Sequence, residues 1–418
     1  MTVMRLVPRP VRVVLGTVVA AAALVGTLPA ASASAAGPQA DLDARIRAAL
    51  RGSTARSVAT YVLVDGLGTV GAANPHATLP PASNEKMYGG LAALLSGDPN
   101  RRLRTEIRHT GTLADGIVEG DLVLRAGGDP TLKSADLTRL AQAVAAHGVR
   151  WVTGSLWADD TRYDRVRRVE GWQPDDVPDE LGPLSAFVVD RNTWRKDAAY
   201  LADPVPANLA KLRSALASAG VGVVGPDAVG QPSTPLTDGA ALAAHDSPQI
   251  AWLVMKSLKD SDNFYAEMLL KELGAEVGAG STAQGAGAVR RLGSTLGVDL
   301  RGFVDGSGLS SLNRQTPVAA VTWLRRAQST TAGSQFKVSL AVGCRDGTLK
   351  ERFCGTPAAG RVSAKTGTLK GVRTLSGYAV TRSNRKVWFS FMLAGASDGT
   401  EARRAIDRAV VAIAGFAS

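Results

Sequence analysis

Hydrophobic and polar positions follow two different periods along the chain. The spacing of an amphipathic helix recurs at residues 41–50, 250–274, 282–297 and 401–416, and the alternation or short apolar runs of strands occur at 57–65, 360–369, 374–382 and 386–396. Between about residues 101 and 244, short apolar runs are broken by Gly, Pro and Asp, with a few helical stretches such as 135–148. The pattern therefore predicts a mixed α/β part in two pieces, residues 37–98 and 247–418, separated by a β-rich insertion at residues 99–246.

The first 36 residues are predicted to be a separate segment. Arg5, Arg9 and Arg12 precede an apolar run that starts at Val13, and the small residues "PAASASAAG" follow it. This pattern is typical of a secretory signal peptide, and the run is short for a membrane-spanning helix, which needs about 20 residues. An uncleaved N-terminal anchor is the alternative. We expect a secreted, extracytoplasmic protein that has no transmembrane segment after cleavage and is associated with the cell wall.

The formal net charge of +11 falls to +8 when the three leader arginines are removed. A positive balance can indicate nucleic acid, an anionic polymer of the cell envelope, or charge scattered over the surface. Export favours an envelope polymer over nucleic acid, and we expect no nucleic-acid partner. Scattered surface charge remains open.

Cysteine and histidine are scarce. Cys344 and Cys354 are ten positions apart in "CRDGTLKERFC", which favours a disulfide in an oxidising compartment; two free thiols are the alternative. Two cysteines and four dispersed histidines have no metal-ligand spacing, so neither a metal nor another cofactor is expected.

A serine followed three residues later by lysine occurs twice, at Ser83–Lys86 in "PASNEK" and at Ser334–Lys337 in "SQFK". On a helix these positions share a face, so the hydroxyl and the amine can meet. Lysine can act as the base for serine if its pKa is lowered by desolvation or nearby positive charge. A helix N-terminus disfavours a cation, and Lys86 near such a terminus is therefore a candidate base.

Two further motifs decide between the copies. Ser261 and Asn263 precede a helical run, where helix capping is the simple alternative. Lys365, Thr366 and Gly367 lie in a predicted strand, where a glycine indicates close approach of another backbone or a ligand, or a bulge. A competing Ser-x-Asn occurs at Ser311–Asn313, but no Ser-x-Asn lies between Lys337 and Lys365. Only the Ser83 copy can begin the ordered series Ser-x-x-Lys, Ser-x-Asn, Lys-Thr-Gly, the signature of penicillin-binding proteins and serine β-lactamases.

With these motifs, the chain resembles the S13-type D-alanyl-D-alanine carboxypeptidases/endopeptidases, the DacB-like group that includes penicillin-binding protein 4. The resemblance spans roughly residues 60–395 and rests on "PASNEK", "GGDPTL", "SDNFYAEMLLKELG", "VDGSGLSSLNR" and "GTPAAGRVSAKTGTLKGVRTLSGY". It implies an α/β fold: a penicillin-recognising, transpeptidase/β-lactamase-like domain, with an antiparallel sheet flanked by helices, split by a β-rich inserted domain.

The resemblance also implies roles for individual residues. Ser83 is the expected nucleophile and Lys86 its proton acceptor, Ser261 relays a proton to the leaving amine, Asn263 binds the peptide amide, and Lys365 supplies positive charge. Thr366, Gly367 and Thr368 are expected to bind the substrate carboxylate, and the backbone N–H groups of Ser83 and Thr368 to form the oxyanion hole. From the segment "GWQPDDVPDELGPLSAFVVDRN", Asp176 is expected to contact the amine end of the stem-peptide side chain, with Arg314 facing the same subsite; solvated loop charges are the alternative.

The expected function is hydrolysis of D-Ala-D-Ala, or of D-Ala–diamino acid crosslinks, in peptidoglycan stem peptides, with β-lactam antibiotics as covalent inhibitors. A serine β-lactamase or esterase on the same scaffold is one alternative, although no water-activating group for rapid deacylation can be recognised. A catalytically weak wall-binding scaffold is the other. The retention of all three motifs argues against a scaffold.

Overall fold

The structure is a computed structural model and describes residues 37–193, 195–196 and 199–417. The predicted leader at residues 1–36 lies outside the described residues. The first piece of the chain contains α1 (Pro38–Leu50), β1 (Ser57–Val64), β2 (Gly68–Ala73) and α2 (Lys86–Leu95). The following segment contains β3 (Arg102–His109), β4 (Thr112–Ala114), β5 (Ile117–Glu119), β6 (Leu122–Arg125), α3 (Ser134–Ala146), β7 (Trp151–Val152), β8 (Leu156–Asp159), α4 (Asp176–Asp179), β9 (Arg195–Lys196), β10 (Ala199–Tyr200), α5 (Val205–Ser218), β11 (Gly222–Val223), β12 (Asp227–Val229) and β13 (Ala243–Gln249).

The last piece of the chain is helical first and then returns to strands. It contains α6 (Ile250–Lys259), α7 (Asn263–Val277), α8 (Thr282–Thr295), α9 (Pro317–Ala327), α10 (Gly333–Val338), β14 (Ala341–Val342), β15 (Val362–Leu369), β16 (Val372–Val380), β17 (Lys386–Ala394) and α11 (Gly399–Ala414). The helical stretch predicted at residues 250–274 is thus two helices, α6 and α7, interrupted at Asp260–Asp262, where the Ser-x-Asn motif begins.

The first and last pieces share one six-stranded antiparallel sheet in the order β14-β15-β16-β17-β1-β2. One face of this sheet packs on α1 and α11 through apolar side chains such as Leu42, Ile406 and Phe389. The opposite face is covered by helices that include α2 and α9, with Tyr88, Trp323 and Trp388 in the buried cluster. The expected antiparallel sheet flanked by helices is confirmed.

Residues between α2 and α6 form sheets of their own. One is five-stranded in the order β12-β8-β6-β3-β13, and another is four-stranded in the order β11-β7-β5-β4; both mix parallel and antiparallel pairs. Their apolar cluster takes in Leu140 of α3 and Leu212 of α5, together with Phe264 and Met268 of α7. The helix that carries Asn263 is therefore packed against this segment. Its boundaries at residues 99 and 246 stay a prediction, and β13 continues to Gln249.

The loop between β14 and β15 is closed by a disulfide between Cys344 and Cys354, whose Cα atoms are 4.9 Å apart. A cross-link over so short a loop restricts the unfolded chain and holds the loop that leads into β15. In the part of the chain that the structure describes, no helix is both long enough and apolar enough to cross a membrane.

Candidate active site

Ser83 and Lys86 lie at a junction between two kinds of helix. Ser83 is on a short 3-10 helix, Ala82–Glu85, and Lys86 is the first residue of α2. The spacing of three residues brings Lys86 Nζ to 2.9 Å from Ser83 Oγ. Gly308 closes over this junction at a φ of +86°, and a Cβ there would stand 2.0 Å from Ala82 O. Only glycine allows this loop to approach the serine so closely.

The Lys86 amine is almost fully buried and has three partners. Besides Ser83 Oγ, it donates to Asn263 Oδ1 at 2.7 Å and to the Ser307 carbonyl at 2.5 Å. An ammonium group has three donors, so all of them are used when the lysine is charged. In the neutral amine, the two remaining N–H groups can stay on Asn263 and Ser307, and the lone pair then faces the Ser83 hydroxyl.

Ser261 and Asn263 begin α7, and capping is part of their arrangement. The N-cap is Asp262, whose carboxylate accepts from Tyr265 N at 3.0 Å. This cap leaves the flanking side chains free for other contacts: Asn263 reaches Lys86, and Ser261 Oγ accepts from Lys365 Nζ at 2.8 Å. Ser261 has a φ of 61°, in the left-handed region where a serine is strained.

Lys365, Gly367 and Thr368 lie on β15. Lys365 is fully buried, and its Nζ also donates to Thr366 O at 2.8 Å. A Cβ on Gly367 would stand 2.8 Å from Pro81 O, so the glycine allows the backbone that precedes Ser83 to lie against the strand. β14 pairs only with Ser363 and Ala364, so the part of β15 from Lys365 onward has β16 as its only partner strand among the described residues. Thr368 is exposed there.

Burial lowers the pKa of both lysines. The pKa of Lys86 falls from 10.5 to about 8, mainly because the charged form is desolvated, while nearby carboxylates, Asp305 first, oppose the shift. The pKa of Lys365 lies well below its usual value, because burial and then the Lys86 ammonium both disfavour its charge. Desolvation, nearby positive charge and the helix terminus were all expected to lower the pKa of Lys86, and desolvation is the dominant cause in the structure.

Buried carboxyl groups that were not predicted from the sequence surround Lys86. Glu267 Oε1 accepts from Ser307 N at 2.6 Å, so it holds the residue whose carbonyl accepts a hydrogen bond from Lys86. Burial raises the pKa of Glu267 to about 8. Glu85 is also buried, its pKa is raised by desolvation, and its Oε1 accepts from Gln315 Nε2. Glu267 could have been found, because it lies one helical turn after Asn263.

Two residues of the 171–192 segment contact the Ser-x-Asn motif, and a third contacts the 305–313 loop. Glu180 Oε2 accepts from Asn263 Nδ2 at 2.9 Å, Arg191 forms two hydrogen bonds with the Asp262 carboxylate, and Trp172 Nε1 donates to Asp305 Oδ2 at 2.8 Å. No local pattern of residues distinguishes Glu180 from the other acids of this segment.

The two residues expected in a side-chain subsite have other contacts. The Asp176 carboxylate accepts from Gln173 N at 2.7 Å. Arg314 Nη1 donates to the carbonyls of Ser311 and Asn313, and its side chain lines a cavity together with Asp299, among other residues. In the described part of the chain, neither makes a hydrogen bond to a residue of the Ser83, Ser261 or Lys365 motifs, and their subsite role stays a prediction.

The competing motif copies lie elsewhere. Asn313 is buried in the 305–313 loop, where its Nδ2 donates to Asp305 at 2.7 Å and its Oδ1 accepts from Val304 N. Its environment is that of a loop-stabilising residue. Ser334 and Lys337 lie on α10 and line a separate cavity on the six-stranded sheet.

Buried lysines that contact Ser83 and Ser261, on an antiparallel sheet flanked by helices, define a penicillin-recognising serine enzyme. The model of the D-Ala-D-Ala carboxypeptidase 3 (S13) family matches residues 70–204 and 196–415. The chain therefore belongs to this family, and it is a serine-type D-Ala-D-Ala carboxypeptidase, a hydrolase that acts on peptidoglycan.

Individual relatives agree with this assignment. The D-alanyl-D-alanine carboxypeptidase of Actinomadura sp. (strain R39) is 32% identical over 379 residues, which cover 72% of this chain and 70% of that protein. The crystal structure of penicillin binding protein 4 (DacB) from Haemophilus influenzae has a TM-score of 0.76 at 20% identity, covering 87% of this chain and 97% of that one. A predatory endopeptidase from Bdellovibrio bacteriovorus, solved as its penicillin G acyl form, has a TM-score of 0.56 at 16% identity, covering 85% and 92%. At these identities, the two structures show the shared fold.

Proposed function

We propose that the protein cleaves the bond after the penultimate D-Ala of a peptidoglycan stem peptide through an acyl-enzyme on Ser83, and that β-lactams acylate the same oxygen. The observation that carries the proposal is the buried Lys86 amine, 2.9 Å from Ser83 Oγ. Its pKa, lowered to about 8, leaves a fraction of the amine neutral near physiological pH, and the neutral form is the one that can act as a general base.

In the first step, Ser83 Oγ attacks the D-Ala carbonyl carbon and its proton passes to Lys86 Nζ. The resulting oxyanion receives hydrogen bonds from the backbone N–H groups of Ser83 and Thr368, where a single donor contributes about 2.7 to 4 kcal/mol. The tetrahedral intermediate collapses, the C–N bond breaks, and the ester on Ser83 is left.

The leaving amine takes a proton from Ser261. The proton that Lys86 took from Ser83 replaces the one lost by Ser261, so Lys86 is neutral again. The contact of 2.8 Å between Lys365 Nζ and Ser261 Oγ supports this relay, because it holds the hydroxyl in place. Water then attacks the ester carbonyl and gives a proton to the neutral Lys86 amine. The ester C–O bond breaks, and Lys86 returns that proton to Ser83 Oγ. Asn263, held between Lys86 and Glu180, is positioned to bind the substrate amide.

The substrate carboxylate is assigned to the open part of β15. Thr366 and Thr368 supply hydroxyl groups, Gly367 keeps the strand close to the nucleophile, and Lys365 supplies a cation when it is protonated. We place this reaction outside the cytoplasm, on the basis of the leader-like N-terminal pattern and of the disulfide between Cys344 and Cys354.

The test uses the protein and its Ser83→Ala variant with a muropeptide pentapeptide and a crosslinked muropeptide dimer, followed by mass spectrometry. Release of D-Ala indicates carboxypeptidase activity and release of monomers indicates endopeptidase activity, and both must vanish in Ser83→Ala. Labelled penicillin should remain attached to the wild type and not to the variant. Rapid release of hydrolysed penicillin would favour a β-lactamase, and absence of both peptide products would refute the proposal.

A further inference from the structure

A cavity of about 560 Å³ lies on the six-stranded sheet where α10 meets β15, β16 and β17. Lys337, Arg361 and Lys386 line it, and the described residues of its lining include neither Asp nor Glu. The second Ser-x-x-Lys copy forms part of the wall, because Ser334 lines the cavity with Lys337. None of the motif residues around Ser83 does.

The three cations are not neutralised within the protein. No ion pair joins any of them to a carboxylate in the part of the chain that the structure describes. Lys337 Nζ instead lies 5.8 Å from the centroid of the Tyr378 ring, and Arg361 Nη1 donates to the Thr381 carbonyl at 2.9 Å. Three exposed cations at one concave site, with no internal counter-charge, favour an anionic ligand.

The charge of the chain is concentrated in the segment that builds this cavity. Residues 306–397 contain fourteen Lys and Arg residues, whereas Asp346 and Glu351 are their only acids. This excess of twelve positive charges exceeds the net +11 of the whole chain, so the remainder has a net charge of −1. The basic balance is therefore carried by one part of the chain and is not spread evenly along it.

We propose that this cavity binds a phosphate group of a phosphodiester-linked anionic polymer of the cell wall. The Arg361 guanidinium suits two phosphate oxygens, the two lysines supply point charges, and Ser334 and Ser363 add hydroxyl donors. A concave site of this size accepts one phosphoryl group with part of its polyol, and a flexible polymer enters such a site more easily than headgroups packed in a flat bilayer.

The cavity lies close to the catalytic strand, so binding there would affect where the active site is held. Ser363 precedes Lys365 by two residues on β15, about 7 Å along the strand and on the same face of the sheet. A wall polymer held at Ser363 would keep the catalytic strand next to the wall in which the stem peptides are anchored.

The test measures binding of a fluorescent glycerol-phosphate oligomer to the full chain by anisotropy, at low and at high salt. The cavity variant is Lys337→Gln/Arg361→Gln/Lys386→Gln. The control, Arg325→Gln/Arg326→Gln/Lys350→Gln, removes the same charge from exposed residues of the same basic segment that do not line the cavity. We expect salt-sensitive binding that falls at least about tenfold in the cavity variant and less than about threefold in the control.

Equal losses of affinity in the two variants would indicate attraction to diffuse surface charge and would overturn the proposal. Failure of the wild-type protein to bind the oligomer would also overturn it. Two other ligands are measured at the same phosphate concentration: vesicles that contain phosphatidylglycerol, and a DNA duplex. If either binds as tightly as the oligomer or more tightly, the choice of a wall polymer is overturned. Thermal unfolding checks the fold of each variant. If the triple variant is unfolded, Lys337→Gln against Lys350→Gln repeats the comparison with one charge.

Discussion

Replacing Gly367 by alanine tests whether the strand must touch the backbone that carries the nucleophile. The added Cβ would stand 2.1 Å from Thr374 Oγ1 and 2.8 Å from Pro81 O, well inside ordinary van der Waals contact. These two atoms are hydrogen-bonded to each other at 2.9 Å. Thr374 is β-branched and stiff, so it can make room only by giving up that bond, and Pro81 must also move away from the strand.

The Gly367→Ala substitution should lower both the stability of the protein and its rate of acylation. Loss of the Thr374–Pro81 hydrogen bond costs about 1 kcal/mol and overpacking about 1 to 3 kcal/mol, so the free energy of unfolding should fall by about 2 to 4 kcal/mol. Pro81 is two residues before Ser83, and a displacement of 1 Å at a reacting group can cost about 100-fold in rate. Because Pro81 has to move only a few tenths of an ångström, we expect acylation of Ser83 to slow by about tenfold.

The assay is the second-order rate of labelling by fluorescent penicillin, measured alongside thermal unfolding. Gly97→Ala is the matched control, because a Cβ at Gly97 meets nothing within 4 Å. It should keep the wild-type rate and melting temperature. If Gly367→Ala is labelled at the wild-type rate, the contact between the strand and the nucleophile backbone is unimportant. If Gly97→Ala loses as much labelling rate as Gly367→Ala, the effect is not specific to this contact.

Three further outcomes are expected. The acylation rate should rise from pH 6 and level off above about pH 8, because only the neutral Lys86 amine accepts the proton and its pKa is about 8; a flat profile over this range would contradict Lys86 as base. Glu180→Gln should raise KM for peptide substrates several-fold with little change in kcat in steady-state kinetics, because it weakens the hydrogen bond that holds the Asn263 amide. The chemically matched control Asp176→Asn should raise KM less. A larger rise in KM for Asp176→Asn would instead support Asp176 as the subsite residue. Cys354→Ser should lower the free energy of unfolding by about 2 to 3 kcal/mol, measured by urea denaturation, and an unchanged midpoint would show that the loop is not restrained by its disulfide.

The local pattern predicted the elements that carry the site. The helix at residues 41–50 lies within α1, the strand at 57–65 coincides with β1, and the three predicted strands near the C-terminus are β15, β16 and β17. The periodic spacing of apolar side chains is a local property of the sequence, and these elements are long enough for it to be recognised. The order of the strands was not predictable in this way, because β1 pairs with β17 across more than three hundred residues.

The motif order selected residues that the structure brings together, but not their surroundings. Lys86 has a lowered pKa because tertiary packing buries it, and no window of sequence reports burial of that kind. Glu180 and Arg191 meet Asn263 and Asp262 only after the 171–192 segment has packed against α7. Contacts between segments far apart in the chain therefore account for what sequence reasoning missed.

The long separations within the site also set the time at which the protein can become active. Ser83 and Lys86 are made early by the ribosome, yet Asn263 and Ser307, which receive the amine, follow Lys86 by 177 and 221 positions. A nascent chain that ends before α7 contains Ser83 and Lys86 but lacks the residues that later bury Lys86, so nothing lowers the pKa of this lysine. Under the proposed mechanism, an unfinished copy cannot form the acyl-enzyme, and the ability to do so is among the last properties that the chain acquires.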